Sequence, residues 1–128
     1  MNLLLDTHTF LWFINNDTNL SPLARTLIED TQNSIVLSIA SVWEISIKVS
    51  LKKLTVTHPP MPFIENELRK NSISVLAIGF QHLETHIVLP FHHRDPFDRL
   101  MIAQAMSEGM PIVSRDSTFD LYPIQRLW

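Results

Sequence analysis

Short apolar runs and helically spaced apolar stripes take turns along the chain, and that alternation gives the first outline of the fold. NLLL, residues 2–5, is an apolar run that stops at Asp6, the pattern of a buried strand with a carboxylate at its C-terminal end. THTFLWFIN continues as a short helix or turn. In SPLARTLIED, Ser21 is placed to cap a helix and Pro22 to occupy its first position, with apolar Leu23, Leu27 and Ile28 following. IVLS, residues 35–38, reads as a second buried strand. From Ser41 the spacing becomes helical, and Val42, Ile45 and Val49 are expected to face inward, joined by Trp43 and Ile47.

THPPMPF reads as a proline-rich turn, FIENELRK as a helix, SISVLAI as a third strand, and FQHLETHIVL as a helix closed by Pro90. DPFDRLMIAQAMSEG is the clearest helix, with Asp95 as N-cap, Pro96 at its first position and Gly109 closing its C-terminus. PIVS gives a fourth strand that runs into Arg115 and Asp116, and PIQRLW a weak fifth. Strands that alternate with helices bury their apolar faces most economically in a parallel sheet covered on both sides. The prediction is an α/β fold with three layers, α/β/α, around a parallel sheet of four to five strands, in one domain spanning 1–128.

Composition narrows the class. The chain has 128 residues, 45% of them hydrophobic, with two glycines, which suits one compact core. It has no cysteine, so disulfides and thiolate metal sites are excluded. The apolar N-terminus lacks a basic segment and carries Asp6, unlike a signal peptide. The apolar stretch around Trp43 is interrupted by Glu44 and Lys48, unlike a membrane span. A cytoplasmic protein without membrane contact is expected. Ten Lys and Arg against thirteen Asp and Glu give a net charge of −3, which argues against a simple nucleic-acid coat. An acidic site that meets phosphates through bound cations remains compatible with that balance.

The candidate chemistry lies in the carboxylates. Ligands of open α/β sheets bind beyond the C-terminal ends of the strands. Asp6 follows the first strand and Asp116 the fourth, while Glu44 and Asp98 fall in the first turns of the helices that open at Ser41 and Asp95. Four acids from distant parts of the chain thus converge on one edge. Like charges at short range oppose one another, and one or two Mg²⁺ or Mn²⁺ ions would relieve the conflict. Each acid also has a plain structural reading. Glu44 completes an S-x-x-E capping box with Ser41, Asp95 and Asp98 suit a helix start, and Asp116 and Asp120 suit a turn. An acid directly after a buried strand, as at Asp6, has no such propensity reason.

His82 and His86 are four apart on an expected helix, but HLETH is not a metalloprotease motif and offers no third ligand, so both read as partly exposed surface histidines. His92 and His93 fall near the acidic edge, where they are placed to touch substrate, and a loop location explains them equally well. Trp12, Phe13, Trp43 and Trp128 are either core, the reading preferred for Trp43, or part of an apolar surface for a protein partner.

LLDTHTFLW, SIASVWEISIKVSLKKL, HHRDPFDRLMIAQAM and SRDSTFDLYPIQRLW together resemble the PIN-domain family, and most of all the VapC-like toxin ribonucleases of type II toxin–antitoxin pairs. The resemblance runs over nearly the whole chain, with its blocks in the right order. It implies Asp6, Glu44 and Asp98 as core acids and Asp116 as a fourth, holding Mg²⁺ or Mn²⁺. Under it Asp98, and not Asp95, is the acid ahead of the long helix. It further implies endonucleolytic cleavage of RNA, a cognate antitoxin and a homodimer. Thr7 and Ser114 are then placed to hydrogen-bond the ligand carboxylates or a phosphate oxygen, and Arg94, Arg99 and Arg115 to meet RNA phosphates. The rival readings are a catalytically inactive scaffold of the same fold that binds protein, and a metal-dependent phosphatase or DNA nuclease using the same acids.

Overall fold

A computed structural model describes residues 1–128. Five strands form one sheet: β1 (Asn2–Leu5), β2 (Ser34–Ser38), β3 (Ile73–Leu76), β4 (Ile112–Val113) and β5 (Arg126–Leu127). Their order is β3-β2-β1-β4-β5 and every neighbouring pair is parallel. The sheet is flanked by six helices, α1 (Thr7–Ile14), α2 (Pro22–Glu29), α3 (Ile39–Ser50), α4 (Pro60–Lys70), α5 (Phe80–Ile87) and α6 (Pro96–Glu108). This is the expected three-layer α/β architecture. No helix is long and apolar enough to cross a membrane.

The strands are short because each needs only to reach across the buried layer. Leu3, Leu4 and Leu5 of β1 are fully buried, and their side chains alternate between the two faces of the sheet. Leu3 and Leu5 join Phe10, Leu37, Ile45 and Ile64 on one side, where α1 to α4 contribute. Leu4 joins Met101, Ile102, Ala105 and Phe119 on the other, beneath α6. One strand therefore ties both cores together.

Element starts follow the capping chemistry. Ser21 accepts from Ala24 N–H at 3.0 Å ahead of Pro22, as expected. The Ser41 start is displaced: the helix begins at Ile39, capped by Ser38, whose hydroxyl accepts from Ala40 N–H. Strand β2 passes directly into this helix, so Ser41 and Glu44 lie beyond the cap. The expected proline-rich turn is instead the opening of α4, which starts at Pro60 and tolerates Pro62 because first-turn N–H groups lack intrahelical partners. Trp43 is a further correction. It is 60% exposed, resting edge-on against Phe97, because α3 turns Ile45 and not Trp43 toward the sheet.

With two glycines in the chain, helix exits use other residues in the left-handed region. Asn16, Lys52 and Ser72 adopt φ of 50°, 59° and 55° after α1, α3 and α4, and Gly109 takes φ 65° after α6.

Candidate active site

The strand order reverses direction between β1 and β4, so a crevice opens beyond their C-terminal ends. Asp6 stands at its floor as the N-cap of α1. Its Oδ1 accepts from Thr9 N–H at 2.7 Å and its Oδ2 from the Ser114 hydroxyl in a short hydrogen bond. Capping and site placement are thus served by one residue, and Ser114 joins the ends of β1 and β4. Ser114 Oγ also accepts from Asp116 N–H at 3.0 Å, which turns the chain so that the Asp116 side chain faces the crevice.

Glu44 enters from the second turn of α3. The Thr7 hydroxyl lies 2.6 Å from Glu44 Oε1 and 2.9 Å from Ser41 Oγ, and Lys48 Nζ lies 3.3 Å from Glu44 Oε2. The sequence-derived capping box does not form: Glu44 makes no bond to a Ser41 N–H, and the Ser41 hydroxyl is directed at Met101 Sδ.

Asp95 caps α6, its Oδ1 accepting from Phe97 N–H at 2.8 Å and Asp98 N–H at 3.2 Å. Asp98, three residues on, turns the other way into the acid cluster. Burial raises its pKa to about 7, reinforced in turn by the charges of Asp95, Glu44, Asp6 and Asp116. Four acids scattered between positions 6 and 116 therefore act on one carboxyl group. That is the electrostatic situation a divalent cation resolves.

His93 completes the arrangement and was not singled out as a site residue by sequence reasoning. Its Nε2 lies 2.9 Å from Asp116 Oδ2 and its Nδ1 3.1 Å from the Tyr122 hydroxyl. An ionised carboxylate only accepts, so Nε2 carries a proton toward Asp116. The Tyr122 oxygen in turn accepts from His93 N–H at 3.0 Å. Burial tends to raise the Asp116 pKa, but the bonds from His93 and Thr118 outweigh it and hold this carboxyl below the ordinary range. Ligand atoms of His93, Asp98 and Asp116 lie within 4.8 Å of one another. Carboxylate oxygens suit Mg²⁺ or Mn²⁺, and the His93 ring, with both nitrogens hydrogen-bonded, orients Asp116. The only sequence signal for His93 is its place three residues before the α6 start, which a loop explains equally well.

The remaining predicted residues divide. Arg94 and Arg115 are exposed; Arg115 lines the crevice with Asp6 and Asp116, and its Nη1 reaches Asn19 Oδ1 at 3.3 Å. Arg99 is not at the surface. It is 4% exposed, donates to Pro90 O at 2.9 Å and Leu89 O at 3.2 Å, and stacks 3.9 Å from the Phe91 ring centroid. Its helix position points it at the loop from α5 and away from any phosphate. Asp120 is committed elsewhere, paired with Arg126 at 2.9 and 3.0 Å, which leaves Asp116 as the acid facing Asp98. His82, expected at the surface, is 2% exposed: its Nδ1 accepts from Gly79 N–H and its Nε2 donates to Glu108. It closes the start of α5, and no metal ligand set surrounds it.

The sheet and its acidic crevice define an α/β protein whose site lies at the topological switch point. The PIN domain model matches residues 3–124, and the chain belongs to that family. Ribonuclease VapC16 of Mycobacterium tuberculosis is 36% identical over 58 residues, which are 45% of this chain and 41% of that protein. The match thus spans less than half of the relative's length. Among solved structures, VapBC2 from Rickettsia felis bound to a DNA fragment from their promoter superposes with a TM-score of 0.70 at 14% identity, over 99% of this chain and 98% of that one. FitAcB from Neisseria gonorrhoeae gives 0.64 at 14%, over 98% and 96%. The toxin–antitoxin system VapBC-5 from M. tuberculosis gives 0.61 at 16%, over 98% of each chain. At these identities the superpositions speak to the fold.

Proposed function

We propose that this protein is a metal-dependent endoribonuclease and the toxin of a toxin–antitoxin pair. The observation that carries the reading is the convergence of Asp6, Glu44 and Asp116 on a half-buried Asp98 in a PIN-domain fold. The ribonuclease named among the relatives supports RNA as substrate, and the VapBC complexes among the fold neighbours support a protein antitoxin.

Asp6, Glu44, Asp98 and Asp116 are the residues that would hold Mg²⁺ or Mn²⁺. A divalent cation there makes a water more acidic and offsets charge on the attacked phosphate. The chain's own residues prepare that chemistry. Ser114 and Thr9 N–H fix both oxygens of Asp6, and Thr7 and Lys48 fix those of Glu44. His93 keeps Asp116 ionised and oriented. Burial and the neighbouring acids oppose ionisation of Asp98 in the free protein, and a bound cation would relieve that opposition. Arg115 lines the crevice and Arg94 is exposed next to His93; both would meet backbone phosphates, which position a strand without reading its sequence.

Exposed apolar surface supports the partner part of the proposal. Phe80, Leu83 and Ile87 of α5 are exposed, with Val88 and Phe91 beyond it. Beside them a cavity of about 230 Å³ is walled by Trp43, Leu83, Pro96, Phe97 and Leu100. Such a surface suits an antitoxin helix or a second copy of the chain.

The decisive assay incubates the purified protein with labelled single-stranded RNA and the matching DNA, in Mg²⁺ or Mn²⁺ and in EDTA, beside Asp6→Asn. RNA cleavage that needs the cation and disappears in the variant is expected. Absence of both cleavage and metal binding would overturn the nuclease reading in favour of the protein-binding scaffold.

A further inference from the structure

A single buried hydroxyl holds the loop that delivers His93 to the acid cluster. Tyr122 follows the 3₁₀ turn Ser117–Leu121 and is 4% exposed, its ring lying in the core cluster that includes Leu4, Ile112 and Phe119. Its oxygen meets the 90–93 loop at the His93 N–H (3.0 Å), the His93 Nδ1 (3.1 Å) and the Pro90 carbonyl (3.5 Å). The other ring nitrogen of His93 lies 2.9 Å from Asp116 Oδ2. From this geometry we propose that Tyr122 is a positioning residue of the acid site: its hydroxyl fixes the His93 ring, and through it the Asp116 carboxylate, in the orientation that a divalent cation needs. This inference rests on the metal-dependent reading above and adds a residue that acts on the site through His93.

Asp116 needs such support. Its side chain is 40% exposed, so packing does little to fix it, and its two oxygens are held separately. Oδ1 accepts from Thr118 N–H at 3.0 Å, within the turn that Asp116 caps. Oδ2 depends on His93, which lies 23 residues away on a segment without regular secondary structure. An imidazole bonded at one nitrogen alone can turn about its Cβ–Cγ bond and leave its partner, because that torsion is broad. Bonded at both nitrogens, it keeps one ring plane. The Tyr122 hydroxyl supplies the second bond and also holds the backbone of the same residue, so one atom fixes both ring and loop. Arg99 secures the start of that loop by donating to the Leu89 and Pro90 carbonyls. The packing role of Tyr122 is met by its ring, and phenylalanine would meet it equally. The use of the hydroxyl lies in the site.

Tyr122→Phe removes that one oxygen and keeps the ring in the core. Calorimetric titration measures Mn²⁺ binding by the wild type, Tyr122→Phe, His93→Ala and the double variant. Tyr122→Phe is expected to weaken binding by roughly tenfold, the scale seen when a hydrogen-bond partner behind a metal ligand is lost. The double variant is expected to bind no more weakly than His93→Ala, since both losses follow one route. The ring is also followed directly, in EDTA, by NMR of the histidine side chains. Wild-type His93 is expected to show a slowly exchanging Nε2–H signal that Tyr122→Phe loses, while the backbone spectrum of the variant keeps the dispersion of a folded protein. Wild-type affinity in Tyr122→Phe overturns the proposal, and losses that add in the double variant overturn the route through His93. A wild type that binds no Mn²⁺ overturns the metal-dependent reading instead, and the His93 signal then decides by itself whether Tyr122 positions the ring.

Discussion

At Asp98, burial and nearby carboxylates act in the same direction, so the free protein carries a pH dependence opposite in sign to that of an ordinary surface aspartate. The folded state binds the proton more firmly than the unfolded chain, with a pKa of about 7 against 3.8. Stability of the metal-free protein is therefore expected to fall as pH rises from about 4 to about 7. Melting curves in EDTA across that range check this, and Asp98→Asn is expected to flatten them, to raise the Tm at neutral pH and to abolish cleavage. His93→Ala releases Asp116 from its imidazole donor, so the Asp116 pKa should rise and metal affinity should fall by roughly 10–100-fold. Calorimetric titration with Mn²⁺ measures it, and unchanged affinity would show that His93 does not position Asp116. Strand ends made the positions of Asp6 and Asp116 legible in the sequence, although both acids also cap the helical turns that follow β1 and β4. His93 was not legible. Its role arises from a loop that folds back onto Tyr122, a contact across 29 residues that no local pattern encodes.

Among the elements, α6 does two jobs that are easily confused in its sequence. Asp95 and Asp98 share its first turn, yet one satisfies backbone N–H groups while the other enters the acid cluster. Arg99, next along, turns back to hold the loop that leads from α5 to His93. Replacing it by Met leaves the Leu89 and Pro90 carbonyls without their donor and should cost about 2–3 kcal/mol in urea unfolding. The opposite sign is expected for Lys52→Gly, which removes the cost of a φ of 59° after α3 and should stabilise by about 0.5–1 kcal/mol in the same measurement. Helices with caps were readable from sequence to within a few residues. The start of α3 was not, because β2 runs into it without a loop and its last residue, Ser38, is also the cap. Val42, Ile45 and Val49 were read onto the correct inner face. Trp43 was misplaced because a large apolar side chain was assigned to the core by its character alone.

For the molecule as a whole, alternating strands and helices were sufficient to predict a parallel three-layer fold, since few other arrangements bury such runs. The sequence did not specify the sheet order, because each of the five strands is apolar and short enough to occupy several places. That order decides where the acids meet. A cation bound by the folded state alone shifts the unfolding equilibrium, so Mg²⁺ or Mn²⁺ should raise the Tm of the wild type. The same addition should leave Asp6→Asn nearly unchanged, as thermal melts with and without EDTA will show. The place of β1 also bears on synthesis. Its Asp6 is bonded by Ser114, 108 residues later, and Leu4 and Leu5 pair with Ile112 and Val113, so the crevice joins segments made at well-separated times. A polypeptide still emerging from the ribosome has β1 early but lacks the neighbour that closes the cluster until β4 has been made. A chain interrupted before β4 is thus unable to assemble the acid site, which ties the site to the order in which the sheet is completed.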